Sequence, residues 1–138
     1  MPPVIVSVPV RWGDLDAYGH VNNVAIMGLL EQARVQAFWE TPRPVLPPLV
    51  AGADVQVVVA DAHVTYRRAI AYAPAVDVSV SVPRVGGASF VIGYEIEVAG
   101  EVAVTATTTL ALVDAGTWRP LRLDPAQRER LRAFAPLP

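Results

Sequence analysis

The chain has 138 residues, a formal charge of −2 and no cysteine, which together suit one domain (1–138) with a single core and exclude disulfides, thiolate nucleophiles and thiolate metal sites. Its eleven basic residues are all arginine and lie scattered along the chain, so no basic stripe marks a nucleic-acid surface. Apolar residues at 53% against 17% charged exceed the ordinary proportions and predict that some apolar surface is covered by a second subunit.

Met1 to Asp14 has no basic start and contains Pro2, Pro3 and Pro9, unlike a signal peptide. No run approaches the eighteen apolar residues of a membrane helix. A cytoplasmic protein with no membrane partner is expected.

Val4 to Trp12 is rich in β-branched residues and reads as a first strand, placed at an edge or a bulge because Pro9 cannot donate to a ladder. Gly13 to His20 is a polar turn with two glycines, leading into Val21-Asn22-Asn23. Asn22 or Asn23 can cap a helix over Asn23 to Glu40, where Ile26, Leu29, Leu30, Ala33, Ala37 and Phe38 recur at three and four. That is a rod of roughly 27 Å at 1.5 Å per residue. Glu31 and Arg34, at i,i+3, are expected to pair on another face of it.

Thr41 to Ala53 holds four prolines, too many for regular helix, and its length suggests a lid or rim. Asp54–Arg67, Ala75–Val85, Ser89–Val98 and Glu101–Val113 read as strands, with breaks at Tyr72-Ala73-Pro74, Gly86-Gly87 and Ala99-Gly100. The breaks predict consecutive antiparallel neighbours. The later strands read as apolar on much of both faces, so a dimer is expected to cover the outer one. Asp124 caps a short C-terminal helix with Pro125 in its first turn. One strand, a long helix and four strands predict an α+β domain in which a five-stranded antiparallel sheet wraps one central helix.

Arg11-Trp12-Gly13-Asp14-Leu15-Asp16-Ala17-Tyr18-Gly19-His20-Val21-Asn22-Asn23, followed by Glu31-Gln32-Ala33-Arg34, resembles the signature of the 4-hydroxybenzoyl-CoA thioesterase-like branch of hot-dog proteins. Val64-Thr65-Tyr66-Arg67-Arg68 and the strands up to Leu112-Val113-Asp114 are similar to that family too. The resemblance implies the hot-dog fold and hydrolysis of an acyl-CoA thioester. It implies Asp16 as nucleophile or general base, and the backbone N–H of Asn23 as the donor that polarises the thioester carbonyl.

Elementary chemistry supports the same division of labour. A helix N-terminus leaves four backbone donors unpaired and carries about half a positive charge, which stabilises an oxyanion. A carboxylate seven residues earlier, on a loop folded by Gly19, can reach the same point and attack or deprotonate water. Neither a metal nor a cofactor is required, since coenzyme A is part of the substrate. Glu31 competes as the acid but lies about 12 Å down the axis from Asn23, so its expected role is structural, with Arg34. Asp14 is expected to hold the loop.

His20 orients a water or the substrate, or shapes the loop; His63, alone inside a strand, is expected at the surface or in packing. Arg67 and Arg68 suit the phosphates of coenzyme A, or simply keep a strand end soluble. Tyr18 joins them as a substrate-binding candidate, while Arg84, Arg128, Arg130 and Arg132 are weaker ones. Trp12, Phe38 and Trp39 line an acyl pocket or, the commoner fate of aromatics, the core. Expected partners are an acyl-CoA, with acyl carrier protein as an alternative carrier, and further copies of the chain in a homodimer or dimer of dimers. Rival functions are a non-catalytic acyl-CoA or acyl-carrier-protein binding module, and a hydratase or dehydratase using His20 with an acidic partner.

Overall fold

The computed structural model of the protein describes residues 4–134; residues 1–3 and 135–138 of the expected domain lie outside the described residues. Its elements are β1 (Val4–Pro9), α1 (Asn23–Phe38), β2 (Val55–Tyr66), β3 (Ala75–Val85), β4 (Ser89–Val98), β5 (Glu101–Asp114) and α2 (Pro125–Arg132), with one 3-10 turn at Trp12–Asp14. The five strands form one antiparallel sheet in the order β1-β3-β4-β5-β2.

β1 is an edge strand and stops at Pro9, not Trp12, because a residue without an N–H ends the ladder and Trp12 turns away in the 3-10 turn. The β3–β4 and β4–β5 hairpins close through Gly86-Gly87 and Ala99-Gly100 as expected. Gly100 and Ala99 both take positive φ, the conformation a tight turn with right-handed twist requires. The expected β2–β3 pairing does not occur: β2 pairs with β5 and β3 with β1. Residues 67–74 are too long for a hairpin turn and bury Ile70, so they run as a packed crossover between opposite parts of the sheet.

The sheet has one apolar face, not two. Val76, Val78, Val80 and Val82 of β3, Phe90, Ile92 and Ile96 of β4, and Val104, Leu110 and Leu112 of β5 point inward and are buried. The alternate positions, Ser79, Ser81, Glu95, Thr105, Thr107 and Thr109, face out. This is a period of two, interrupted only near the bulges and at the end of β5, where Ala103 and Val113 are buried as well, and the small polar residues between the valines are its signal. Gly93 belongs to that outer face because a Cβ there would lie 3.0 Å from Ser81 Oγ. The crowding comes from a bulge between Ser81 and Arg84 that admits Pro83 into β3, a site where proline costs no ladder bond.

α1 lies over β1 and β3. It buries Ile26, Leu29, Leu30, Ala33, Ala37 and Phe38, the face its spacing predicts, and ends two residues before Glu40 with Trp39 as its cap residue. Phe38 sits in an aromatic cluster with Phe90 and Phe134, ring centroids 6.2 Å and 4.9 Å away. The proline segment between α1 and β2 is anchored, with Val45 and Leu46 buried. Trp39 Nε1 donates to the Pro47 carbonyl at 2.8 Å, and Arg130 of α2 donates to the carbonyls of Arg43 and Pro44. Asp124 caps α2 in a reciprocal box with Gln127. Among the described residues no helix is long and apolar enough to cross a membrane.

Candidate active site

The segment from Arg11 to Asn23 is built from short polar contacts rather than from a ladder. Asp14 is buried, and its carboxylate accepts from the Arg11 backbone N–H at 2.8 Å and from the Arg11 guanidinium at 3.1 Å. The backbone bond first, then the guanidinium, hold the Asp14 carboxyl below the usual carboxylate range against the opposing effect of burial. Asn22 N–H then donates to the Asp14 carbonyl at 2.9 Å, and Leu15 pairs with Val21. Asp14 therefore holds the loop, as expected.

Above that pairing, residues 16–20 form a small closed loop. Asp16 N–H donates to the His20 carbonyl at 2.7 Å, and Gly19 N–H to the Asp16 carbonyl at 3.1 Å. Gly19 takes a φ of 78°, which needs a residue without a Cβ clash. Asp16 Oδ1 accepts from the backbone N–H groups of Tyr18 at 2.8 Å and His20 at 3.1 Å, the self-bonding that suits aspartate to turns. Asp16 Oδ2 makes no hydrogen bond among the described residues. Asp16, Tyr18 and His20 are all exposed and share this one loop.

A crossover strand of chain braces the loop from outside. Val21 N–H donates to the Ile70 carbonyl at 2.8 Å and His20 pairs with Ala71. Asn22, not Asn23, caps α1: its Oδ1 accepts from Ala25 N–H at 2.8 Å, and its carbonyl takes Ile26 N–H at 3.0 Å. The N–H groups of Asn23 and Val24 find no acceptor among the described residues. The carboxylate loop thus closes on the Leu15–Val21 pair, and two residues beyond Val21 the helix opens on two amides without acceptors.

The remaining candidates separate. Arg67 and Arg68 stand at the end of β2, both donating their backbone N–H to the Ala103 carbonyl, and Arg68 pairs with Glu101 at 2.9 Å. Glu31 pairs with Arg34 at 3.4 Å, as its spacing predicts. Arg128 and Arg130 spend their guanidinium groups on carbonyls of Gly86, Arg43 and Pro44. His63 is exposed on β2, and no cluster of three or more metal-type ligands occurs among the described residues. A groove of about 570 Å³ runs from Arg11 and Asp14 along α1 past Ala25, Gly28 and Gln32; Asp16 stands outside its lining.

Trp12 overturns the core expectation. It is 77% exposed, and its ring meets Tyr72 of the crossover. In the sequence Tyr72 reads only as a turn marker; its setting after Ala69-Ile70-Ala71, an apolar run that needs burial, is the hint that this connection folds back on the body. A second unforeseen feature is the pair Tyr94–Thr108, hydroxyl to hydroxyl at 2.7 Å and buried beneath the sheet's inner face. Burial raises the Tyr94 pKa.

Residues 10–131 match the Thioesterase-like superfamily model. The chain belongs to that family and is a thioester hydrolase with the hot-dog fold. It is similar to the long-chain acyl-CoA thioesterase FadM of Escherichia coli strain K12, at 26% identity over 134 residues, 91% of this chain and 94% of the relative. A thioesterase from Thermus thermophilus, complexed with coenzyme A and Zn, is 33% identical with a TM-score of 0.80, covering 96% of this chain and 93% of that one. A predicted thioesterase of Bacillus stearothermophilus shares the fold at a TM-score of 0.85 and 23% identity, with 97% of each chain covered.

Proposed function

We propose that the protein hydrolyses acyl-CoA thioesters to a free acid and coenzyme A, with Asp16 as the reacting carboxylate and the Asn23 N–H as the donor to the thioester oxygen. The observations that support this reading are an exposed aspartate, one of whose carboxylate oxygens is unbonded, on a loop closed onto the Leu15–Val21 pair, and a helix that opens two residues past Val21 on amides without acceptors among the described residues. As the carbonyl carbon becomes tetrahedral its oxygen gains negative charge, and a fixed N–H at the positive end of a helix stabilises that charge more than it stabilises the neutral carbonyl.

Two routes balance. Asp16 attacks the carbonyl carbon, expelling the thiolate and leaving a mixed anhydride that water then cleaves; or Asp16 takes a proton from water as the water oxygen attacks that carbon, and the tetrahedral intermediate collapses by expelling the thiolate, which takes up the proton. His20, in the same loop, orients the substrate or that water. Single turnover in heavy-oxygen water separates the routes, because only the anhydride route places solvent oxygen in the carboxyl of Asp16.

The bond pattern of the loop makes the decisive substitution clean. An asparagine amide oxygen accepts the Tyr18 and His20 N–H groups as the carboxylate does, so Asp16→Asn removes charge and keeps the turn. Thiol release from a panel running from acetyl to long-chain and aromatic acyl-CoA esters tests the activity; Asp16→Asn should cost at least about a hundredfold, or ~2.7 kcal/mol of barrier. Wild-type rates in that variant end the assignment of Asp16.

The FadM relative's long-chain acyl-CoA and the bound coenzyme A of the Thermus relative support acyl-CoA as substrate here, with acyl carrier protein the other carrier to test. The chemistry proposed uses no metal and no cofactor of its own, and a cytoplasmic setting suits it. The working form proposed is a homodimer, alone or doubled to a tetramer. β2 offers the edge: twelve residues long, it pairs with β5 on one side only, and Val59 and Tyr66 on its inner face stand exposed.

A further inference from the structure

Trp12 and Tyr72 meet edge to face, ring centroids 5.9 Å apart and planes at 67°, yet they remain 77% and 48% exposed. Rings left this open forgo the burial that draws aromatic side chains into cores. They are nevertheless held still. Trp12 rides on the 3-10 turn that the Arg11–Asp14 bonds fasten, and Tyr72 on the crossover tied down by Val21 N–H to Ile70 and by the His20–Ala71 pairing. The same two segments flank the loop of the candidate active site and are bonded to it.

Charge lies in the same crossover. Arg67 stands five positions before Tyr72, is exposed, and has no carboxylate at ion-pair distance among the described residues, whereas its neighbour Arg68 is engaged by Glu101. An open aromatic face, with an arginine that has no ion-pair partner among the described residues in the same chain segment, suits a nucleotide: purines stack on aromatic rings, and the guanidinium fork fits phosphate oxygens.

We propose that Trp12 and Tyr72 form the surface on which the adenine ring of coenzyme A stacks, with Arg67 on its phosphates. This rests on the acyl-CoA reading above and names the residues that select the carrier rather than the acyl group. Both rings are positioning residues; neither touches the thioester.

The test compares one acyl group, the best of the panel, carried on coenzyme A and on pantetheine, which lacks the nucleotide. Wild type should favour the coenzyme A ester in kcat/KM. Trp12→Ala combined with Tyr72→Ala should cut that preference roughly tenfold or more, within the range of stacking losses, through KM. Trp12→Phe, which keeps a ring face, should retain most of it.

An equal loss on both carriers, or a smaller assembly by light scattering, would show that the pair shapes the loop or a subunit contact and overturns the proposal. Equal wild-type rates on the two carriers overturn it as well while leaving the thioesterase standing. Hydrolysis of neither ester, with no binding of coenzyme A by calorimetry, defeats the functional reading itself, and the stacking surface with it.

Discussion

Two aspartates in this protein build nearly the same turn and are given different work. Asp16 Oδ1 accepts from the N–H groups of Tyr18 and His20; Asp114 Oδ1 accepts from the N–H groups of Gly116 and Thr117 and from the Thr117 hydroxyl. At Asp114 those donors, the Thr117 backbone first, hold the carboxyl below its ordinary range, and the turn closes the end of β5 beyond any helix start. At Asp16 the second oxygen is left over, and its loop leads within a few residues into the open amides of Asn23 and Val24. Turn chemistry is thus shared, and it is the unbonded second oxygen and the nearby helix start that set the proposed reacting acid apart from the structural one.

The sharpest way to break that contrast is to neutralise both acids. Asp16→Asn should lose at least about two orders of magnitude in turnover with little change in melting temperature, while Asp114→Asn should leave turnover as it was; matched losses would erase the distinction. Next in size are the helix caps. Asn22→Ala, which removes the acceptor for Ala25 N–H, should cost ~1 kcal/mol of stability and also slow hydrolysis, because the amides it frays belong to the proposed site. Asp124→Ala should cost a similar amount and leave the rate alone. Melting curves and rates on the two variants separate the effects.

Acid should expose the structural pair. Asp14 and Asp114 have folded pKa values below the ordinary 3.8, so ionised carboxylates favour the fold. Their contribution is complete above that ordinary value and disappears as pH falls through the lower folded one. The stability gap between wild type and Asp114→Asn should therefore be flat from neutrality down to about pH 5 and close only in stronger acid; a gap that closed by about pH 6 would contradict the assignment. Smallest of all is Arg68→Ala. Its partner Glu101 is 57% exposed and its own side chain 61%, so equilibrium unfolding should shift by less than ~0.5 kcal/mol.

Local rules make most of this architecture readable. Proline at position 9, the three-and-four spacing of α1, the caps Asn22 and Asp124, and the glycine turns all act within a few residues, and each element stands where they place it. Strand order is less accessible: a break at Tyr72-Ala73-Pro74 looks like a hairpin until the burial of Ile70 shows a crossover. The outer face is easily misread because Val-x-Val runs draw attention to the valines, although the serines and threonines between them settle the matter. Within the candidate site, the motif places Asp14 and the loop; it gives no sign that Trp12 turns outward, since the ring it meets is that of Tyr72, far along the chain.

Arg130 donates to the carbonyls of Arg43 and Pro44, 87 and 86 positions earlier in the chain. During synthesis the Arg43–Pro44 corner of the proline rim must do without this tie until almost the entire polypeptide has left the ribosome. β2 waits likewise for β5, its sole neighbour in the sheet. Nascent chains halted before α2 should therefore expose the far end of α1 to proteases that the finished molecule resists.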